Sequence, residues 1–416
     1  MFSDFGLDGI RPFFSRRIGV SRDTSTGQNV QNPIYFGGRL SGKVNNNLRV
    51  GLLDMQAAEI ESIGLPSTNY MVATFQQKIF ARSNIGMIFV NKQAFQDSIK
   101  GDFTTSPMQY NRTLGIDFNL QSADNKWNGK FYYHKSFDEE KTDSTFATGA
   151  RISYNSYEWD ISATLTNTGA NYNPEVGFVR RQDLLRFAPT IYYNFYPNSK
   201  IIRSHGPGFD FDVMGNQTYG VLDYDINLMY RVRFLSTANF DMRLRTEYTY
   251  LFDSFDPTNT GGVELPADTE YKNYLIIASF RSNSRNKFYF NISTRSGGYF
   301  NGTRISFNGE VTYRFRQYAL FSLNYTYNRI ELPAPYSSTD LYLLGPRIDI
   351  TFTKNLFWTT FVQYNSQIEN LNINSRFQWR FKPVSDLFFV YTDNYFAYSG
   401  NGDFIDFGAP KPGPLY

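Results

Sequence analysis

Between residues 303 and 328 apolar and polar side chains alternate one for one. Ile305, Phe307, Val311, Tyr313 and Phe315 occupy odd positions, with Arg304, Ser306, Asn308, Glu310, Thr312 and Arg314 between them. After a break near Gln317, Ala319, Phe321, Leu323, Tyr325 and Tyr327 alternate with Ser322, Asn324, Thr326 and Asn328. In extended chain successive side chains point to opposite faces, so a period of two predicts a hairpin of two long strands. One face is aromatic and aliphatic; the other carries charge and amide. A soluble sandwich has the same alternation, so recurrence, strand length and the filling of the polar face decide between them.

The pattern recurs almost end to end. Tyr157, Trp159, Ile161, Ala163 and Leu165 oppose Glu158, Asp160, Ser162, Thr164 and Thr166. Tyr224, Ile226, Leu228, Tyr230, Val232 and Phe234 oppose Asp223, Asp225, Asn227, Arg231 and Arg233. Leu371, Ile373, Phe377, Trp379 and Phe381 oppose Asn372, Asn374, Arg376, Gln378 and Arg380. Roughly 20 strands, within about 18–22, are expected, many reaching the ~9–11 residues of a tilted membrane strand. Tight turns at 45–47, 283–285 and 354–355 alternate with polar loops at 100–106, 138–143, 253–270 and 332–339. Short turns on one side and long loops on the other mark outer-membrane barrels. No repeat of about 20–50 residues is visible, which disfavours propellers and solenoids. The expected fold is all-β, a transmembrane antiparallel β-barrel. It would span residues 34–396, after a lead-in at 1–33 and before a loop or tail at 397–416. Its polar face reads as so complete that it leaves no dry core to fill.

Composition narrows the function. With 40 Phe and 31 Tyr, the chain has the rings that interfacial girdles need. It has no cysteine, which excludes disulfides, thiolate chemistry and Cys-based zinc sites. A net charge of +3 argues against a nucleic-acid partner, which would call for a basic face. No apolar run approaches the ~18 residues of a membrane helix, so a membrane could be crossed only by a closed barrel. Outer-membrane lipid is then the expected partner. The first residues lack the basic start and apolar centre of a signal peptide, and GAPKPGPL before Tyr416 is unsuited to a central strand. Both ends suggest a fragment lacking terminal segments.

The polar face would hold Arg231, Arg233, Arg243, Arg245, Arg304, Arg314 and Arg316 with Asp225, Asp241, Glu247 and Glu310. These residues would line a lumen. Arginine forks suit carboxylates and phosphates, so the wall would filter anionic or sugar-like solutes. The plainer reading is a hydrated wall of mixed charge, as in any water-filled barrel. Two further segments, FFSRRIG at 13–19 and NPEVGFVRR at 173–181, each set an Arg pair beside Gly and an aromatic. Arg16, Arg17, Arg180 and Arg181 would hold a plug segment or an acidic partner, or simply stand at turns. His134 and His205 are the only histidines and belong to no catalytic motif, so no enzyme activity is expected. The acidic stretches match no calcium loop, so neither metal nor cofactor is expected.

Taken in order, FFSRRIG, GGRLSGK at 37–43, RVGLLDMQ at 49–56, NPEVGFVRR and RFQWRFKPVSDLFFVYTD at 376–393 resemble one Gram-negative family. They are similar to the C-terminal barrel region of the outer-membrane family catalogued as domain of unknown function 5916. The resemblance implies an outer-membrane location and an accompanying N-terminal sandwich similar to carbohydrate-binding module family 9. Glycans or another envelope protein would then be partners. It implies no biochemical role. The function expected is a passive pore or surface scaffold. The alternatives are a non-channel binding platform for glycans or an envelope partner, a membrane-embedded hydrolase and a soluble β protein.

Overall fold

The computed structural model of the chain describes residues 2–7, 9–23, 26–95, 109–398 and 406–407. The loop expected at 100–106 and nearly all of the tail expected at 397–416 lie outside the described residues. Two compact units are present, one of Met1–Ile191 with Phe211–Leu222, the other of Tyr192–Asp210 with Asp223–Tyr416.

The first unit opens with short strands β1 (Ile10–Arg11), β2 (Val20–Arg22) and β3 (Asn29–Gln31). Eight long strands follow: β4 (Ile34–Lys43), β5 (Leu48–Ala57), β6 (Ser67–Ile79), β7 (Ser83–Phe95), β8 (Tyr110–Gln121), β9 (Trp127–Phe137), β10 (Phe146–Asn155) and β11 (Trp159–Thr168). Each pairs antiparallel with the next. A two-residue strand, β12 (Phe178–Val179), pairs back to β1.

Three strands contribute residues to both units: β13 (Leu184–Tyr193), β14 (Ile202–Asn216) and β15 (Gly220–Phe234). The second unit continues with β16 (Asn239–Leu251), β17 (Thr269–Arg281), β18 (Phe288–Tyr299), β19 (Gly302–Phe315), β20 (Ala319–Glu331), β21 (Thr339–Thr353), β22 (Leu356–Asn365), β23 (Asn370–Lys382) and β24 (Ser385–Tyr398). From β15 onward neighbours again pair antiparallel, and the short β25 (Asp406–Phe407) pairs with β24. The protein is therefore all-β, with 20 long antiparallel strands and no α-helix among the described residues.

Local chemistry sets the turns. Asn45 Oδ1 accepts from the backbone N–H of Asn47 at 2.8 Å and of Leu48 at 2.9 Å, an Asx turn that reverses β4 into β5. Arg316, expected on a strand face, instead sits in the β19–β20 turn with φ of 51°. The last long strand runs from Ser385 to Tyr398.

The aromatic face is exposed. Leu228, Leu244, Phe321 and Trp379 all stand free of any core. Rings on this face stack across strands, with Tyr224 and Tyr248 centred 5.1 Å apart and Tyr327 lying between Phe307 and Tyr342.

The opposite face departs from expectation in the first unit, where a dry core exists. Phe2, Phe5 and Phe13 are buried there against Leu53, Tyr70, Val72, Ile88, Val90 and Val176. Alternation fails locally because β6 and β7 are apolar on both faces: Val72 and Val90 are buried while Phe75 and Met87 are exposed. Two strand glycines make the room. A Cβ on Gly51 would lie 2.8 Å from the Phe2 ring, and one on Gly86 would lie 3.0 Å from the Phe5 ring.

Candidate functional site

The N-terminal segment is fastened to this face at one carboxylate. Asp117 projects from β8 and is 1% exposed. Its Oδ2 accepts from the Gly6 N–H at 2.8 Å, and Lys130 Nζ stands 3.2 Å from the same oxygen. Its Oδ1 lies 2.7 Å from His134 Nε2. Lys130 also donates to the Asp4 carbonyl. A buried carboxylate is stable only when its oxygens are satisfied, and here a backbone amide, an ammonium and an imidazole do so. Gly6 has φ of +78°, and a Cβ there would fall 2.0 Å from the Ile10 carbonyl oxygen. The loop that presents its amide thus requires glycine.

His134, which belongs to no catalytic motif, lies in β9 on the face opposite the exposed Tyr133. It is wholly buried, hydrogen-bonded to Asp117 and packed 4.7 Å from the Tyr132 ring. Position along the chain concealed the pairing, which joins β8 to β9 across the Gly115–His134 register. His205 belongs to other surroundings, with Nδ1 2.6 Å from the Tyr230 hydroxyl and its ring 5.4 Å from Phe195.

The connection between β11 and β13 completes the site. It turns back over the same face, where Asn111 Nδ2 donates to the Asn173 carbonyl at 2.8 Å and the Glu175 N–H donates to Asn111 Oδ1 at 3.1 Å. Lys92 and Glu175 pair at 2.5 Å. The connection then meets the N-terminal segment directly. The Phe14 N–H donates to the Val176 carbonyl at 2.7 Å, β1 pairs with β12, and the Arg180 N–H donates to the Gly9 carbonyl at 2.9 Å. FFSRRIG and NPEVGFVRR, 160 positions apart at Phe13 and Asn173, are therefore partners in one structure. Tyr172, wholly buried here, has its phenol pushed above the ordinary value by burial and then by Tyr132 and Asp117.

The Arg pairs themselves sit at the rim of this contact. Arg16 and Arg17 end a 3-10 turn, Ser15–Arg17, and are exposed, with Arg16 5.9 Å from the Phe14 ring. Arg180 is exposed and Arg181 is half-buried.

In the second unit the polar face is a lattice of ion pairs. Arg233 grips Asp241 with bonds of 3.1 and 2.8 Å, and Arg231 reaches the same carboxylate at 3.7 Å. Arg245 bonds Asn227 at 2.8 Å and approaches Asp225 and Glu247 at 3.8 and 4.0 Å. Glu247 is bound more closely by Arg295, at 2.6 Å, a residue not singled out from sequence. Arg304 donates to Ser306 and Asn328, Glu310 accepts from Thr312, and Arg314 lies 5.4 Å from the Tyr289 ring. Arg243 makes no hydrogen bond or ion pair among the described residues. No cluster that would hold a metal ion occurs among the described residues.

Twenty long antiparallel strands with exposed aromatic side chains define an all-β protein. The chain belongs to the family described as domain of unknown function (DUF5916), whose profile matches residues 11–333. The match includes both FFSRRIG and NPEVGFVRR; the motif at 376–393 lies beyond it. No curated protein matches the chain.

Proposed function

We propose that the protein is an outer-membrane β-barrel of a Gram-negative bacterium and acts as a passive pore. Its lumen is partly filled by its own N-terminal segment. One observation carries the reading: large apolar side chains are exposed along nearly every long strand, and in the second unit the opposite face holds ion pairs and amides. Water would penalise such an apolar surface, and hydrocarbon would not. The strand count supports closure. With 20 antiparallel strands the first and last run in opposite directions, so β4 and β24 are correctly oriented to pair and leave no open edge in lipid.

On this reading the face carrying Asp117 looks into the lumen, and residues 2–14 with the 169–182 connection form a plug. Mixed charge on the remaining wall keeps it wet. The pore is favoured over a hydrolase because His134 is sealed from solvent with Nε2 engaged by Asp117. The test is membrane fractionation with heat-modifiable gel migration, then planar-bilayer recording. Membrane insertion with small discrete conductance steps is expected. A protein that stays in solution without detergent refutes the barrel; an inserted barrel that never conducts refutes the pore.

A further inference from the structure

We propose that Arg243 and Arg231 form a binding site for an oxyanion, either a carboxylate or a phosphate group, on the polar face of β15 and β16. The proposal rests on the barrel reading in calling this face a lumen and in the folding check used below. In the ladder Arg231 stands opposite Asp241 and Arg243 opposite Met229, so the two arginines are diagonal neighbours on one face. Diagonal positions lie about 7–8 Å apart at the backbone, within reach of two long side chains. Every nearby acid is already engaged. Asp241 is held by two bonds from Arg233, Glu247 by Arg295, and Asp210 by the Asn227 amide at 3.0 Å. On its other side Arg243 faces Ile277 of β17. It is thus flanked across both ladders by apolar side chains, half-buried and without an acid partner.

Arg231 is held in place between a ring and a carboxylate that Arg233 binds more closely. Its guanidinium lies 3.2 Å from the centre of the Tyr192 ring, while its contact with Asp241 is the long one, at 3.7 Å. Contact with the ring restrains the fork, and its five N–H groups outnumber the partners it has here. Two guanidinium groups, one pre-oriented and one unpaired, are the arrangement that receives two oxygens of a single anionic head.

Protein folded in detergent micelles, checked by heat-modifiable migration, is dialysed to equilibrium against labelled inorganic phosphate or labelled acetate. Binding of at least one anion is expected, and the tighter one identifies the head group. Arg243→Gln is expected to weaken it at least tenfold. Arg285→Gln, in the exposed β17–β18 turn, leaves it unchanged. Ile277→Glu keeps Arg243 but supplies a carboxylate beside it, and is expected to abolish binding. Wild-type protein that binds neither anion, or a folded Arg243→Gln or Ile277→Glu protein that binds like wild type, overturns the site. Micelle binding needs no conduction, so this outcome is independent of the bilayer recording.

Discussion

The backbone amide of Gly6 donates to the carboxylate of Asp117, 2.8 Å away in space and 111 positions along the chain. It is the buried polar contact among several that join the N-terminal segment to the sheet. Replacing Asp117 by Ala leaves the Gly6 N–H, Lys130 and His134 without their common acceptor. An unsatisfied buried donor costs about 1–3 kcal/mol, so the segment's opening equilibrium rises by roughly tenfold to a hundredfold. Hydrogen exchange at the amides of residues 2–14 measures this directly. Exchange in β19 and β20 is expected to stay at the wild-type rate.

Phe5 is the apolar counterpart of that latch, at 2% exposure against Gly86. Truncating a buried Phe to Ala costs about 3–5 kcal/mol when the cavity persists. A detachable segment has a second course, which is to leave the sheet, so the loss cannot exceed the segment's own docking free energy. Phe5→Ala is therefore expected to expose residues 2–14 to limited proteolysis while β4–β11 stay resistant. Uniform destabilisation of the whole sheet would show instead that segment and strands unfold as one.

The strands were legible because alternation is a local signal that the ladder amplifies. The residues named on both faces of β19 and β20 fall where a period of two puts them, with Ser306 and Thr312 buried and Phe307 and Phe321 exposed. The latch was not legible, since no local pattern links Gly6 to Asp117 or Asn111 to Asn173. Signals for it did exist. Gly51, Gly86 and Gly115 interrupt strand interiors, where glycine marks the close approach of another group. Ile88 and Val90 put apolar side chains on a face otherwise polar. Arg316 misled for the opposite reason: it keeps the strand's parity but stands one position past the end of β19.

Asp256 organises the loop between β16 and β17. Its carboxylate accepts from the N–H groups of Thr258, Thr260, Gly261 and Gly262 at 2.8–3.1 Å, and from the Thr258 hydroxyl at 2.6 Å. Burial pulls this carboxyl upward, but the bonds from Thr258, Thr260 and Gly262 outweigh it and hold it low, at about 2 against an ordinary 3.8. A depressed value stabilises the folded loop above the ordinary carboxylate range. That contribution fades as pH falls through about 2. Loop order, followed by nuclear magnetic resonance of the Gly261 and Gly262 amides, should thus persist at pH 4 and fail near pH 2. Asp256→Ala should lose it at every pH.

Val384 sits in the β23–β24 turn with φ of +63° and its side chain 99% exposed. A β-branched residue in the left-handed region carries roughly 1–2 kcal/mol of steric strain, and no packing compensates here. Val384→Asn, which tolerates that conformation, is expected to raise unfolding resistance by about 1 kcal/mol, read from the urea midpoint in lipid vesicles. A lowered midpoint would mean that the turn changes shape in the folded protein.

Leu244 and Arg245 are consecutive residues near the middle of β16, one exposed on the aromatic face and the other bonded to Asn227 on the polar face. If hydrocarbon covers the aromatic face, Leu244→Lys places an ammonium near the bilayer midplane. That substitution costs about 2–4 kcal/mol at such depth, and less near the interfaces. The charge-removing change Arg245→Gln meets water instead, and loses its bond to Asn227 and its approach to Asp225 and Glu247. Folding into vesicles should therefore fall steeply for Leu244→Lys and little for Arg245→Gln. In a soluble sheet the order reverses, because an exposed lysine is harmless in water while breaking the polar-face network is not. The sign of the difference between two adjacent residues thus reports which solvent each face meets.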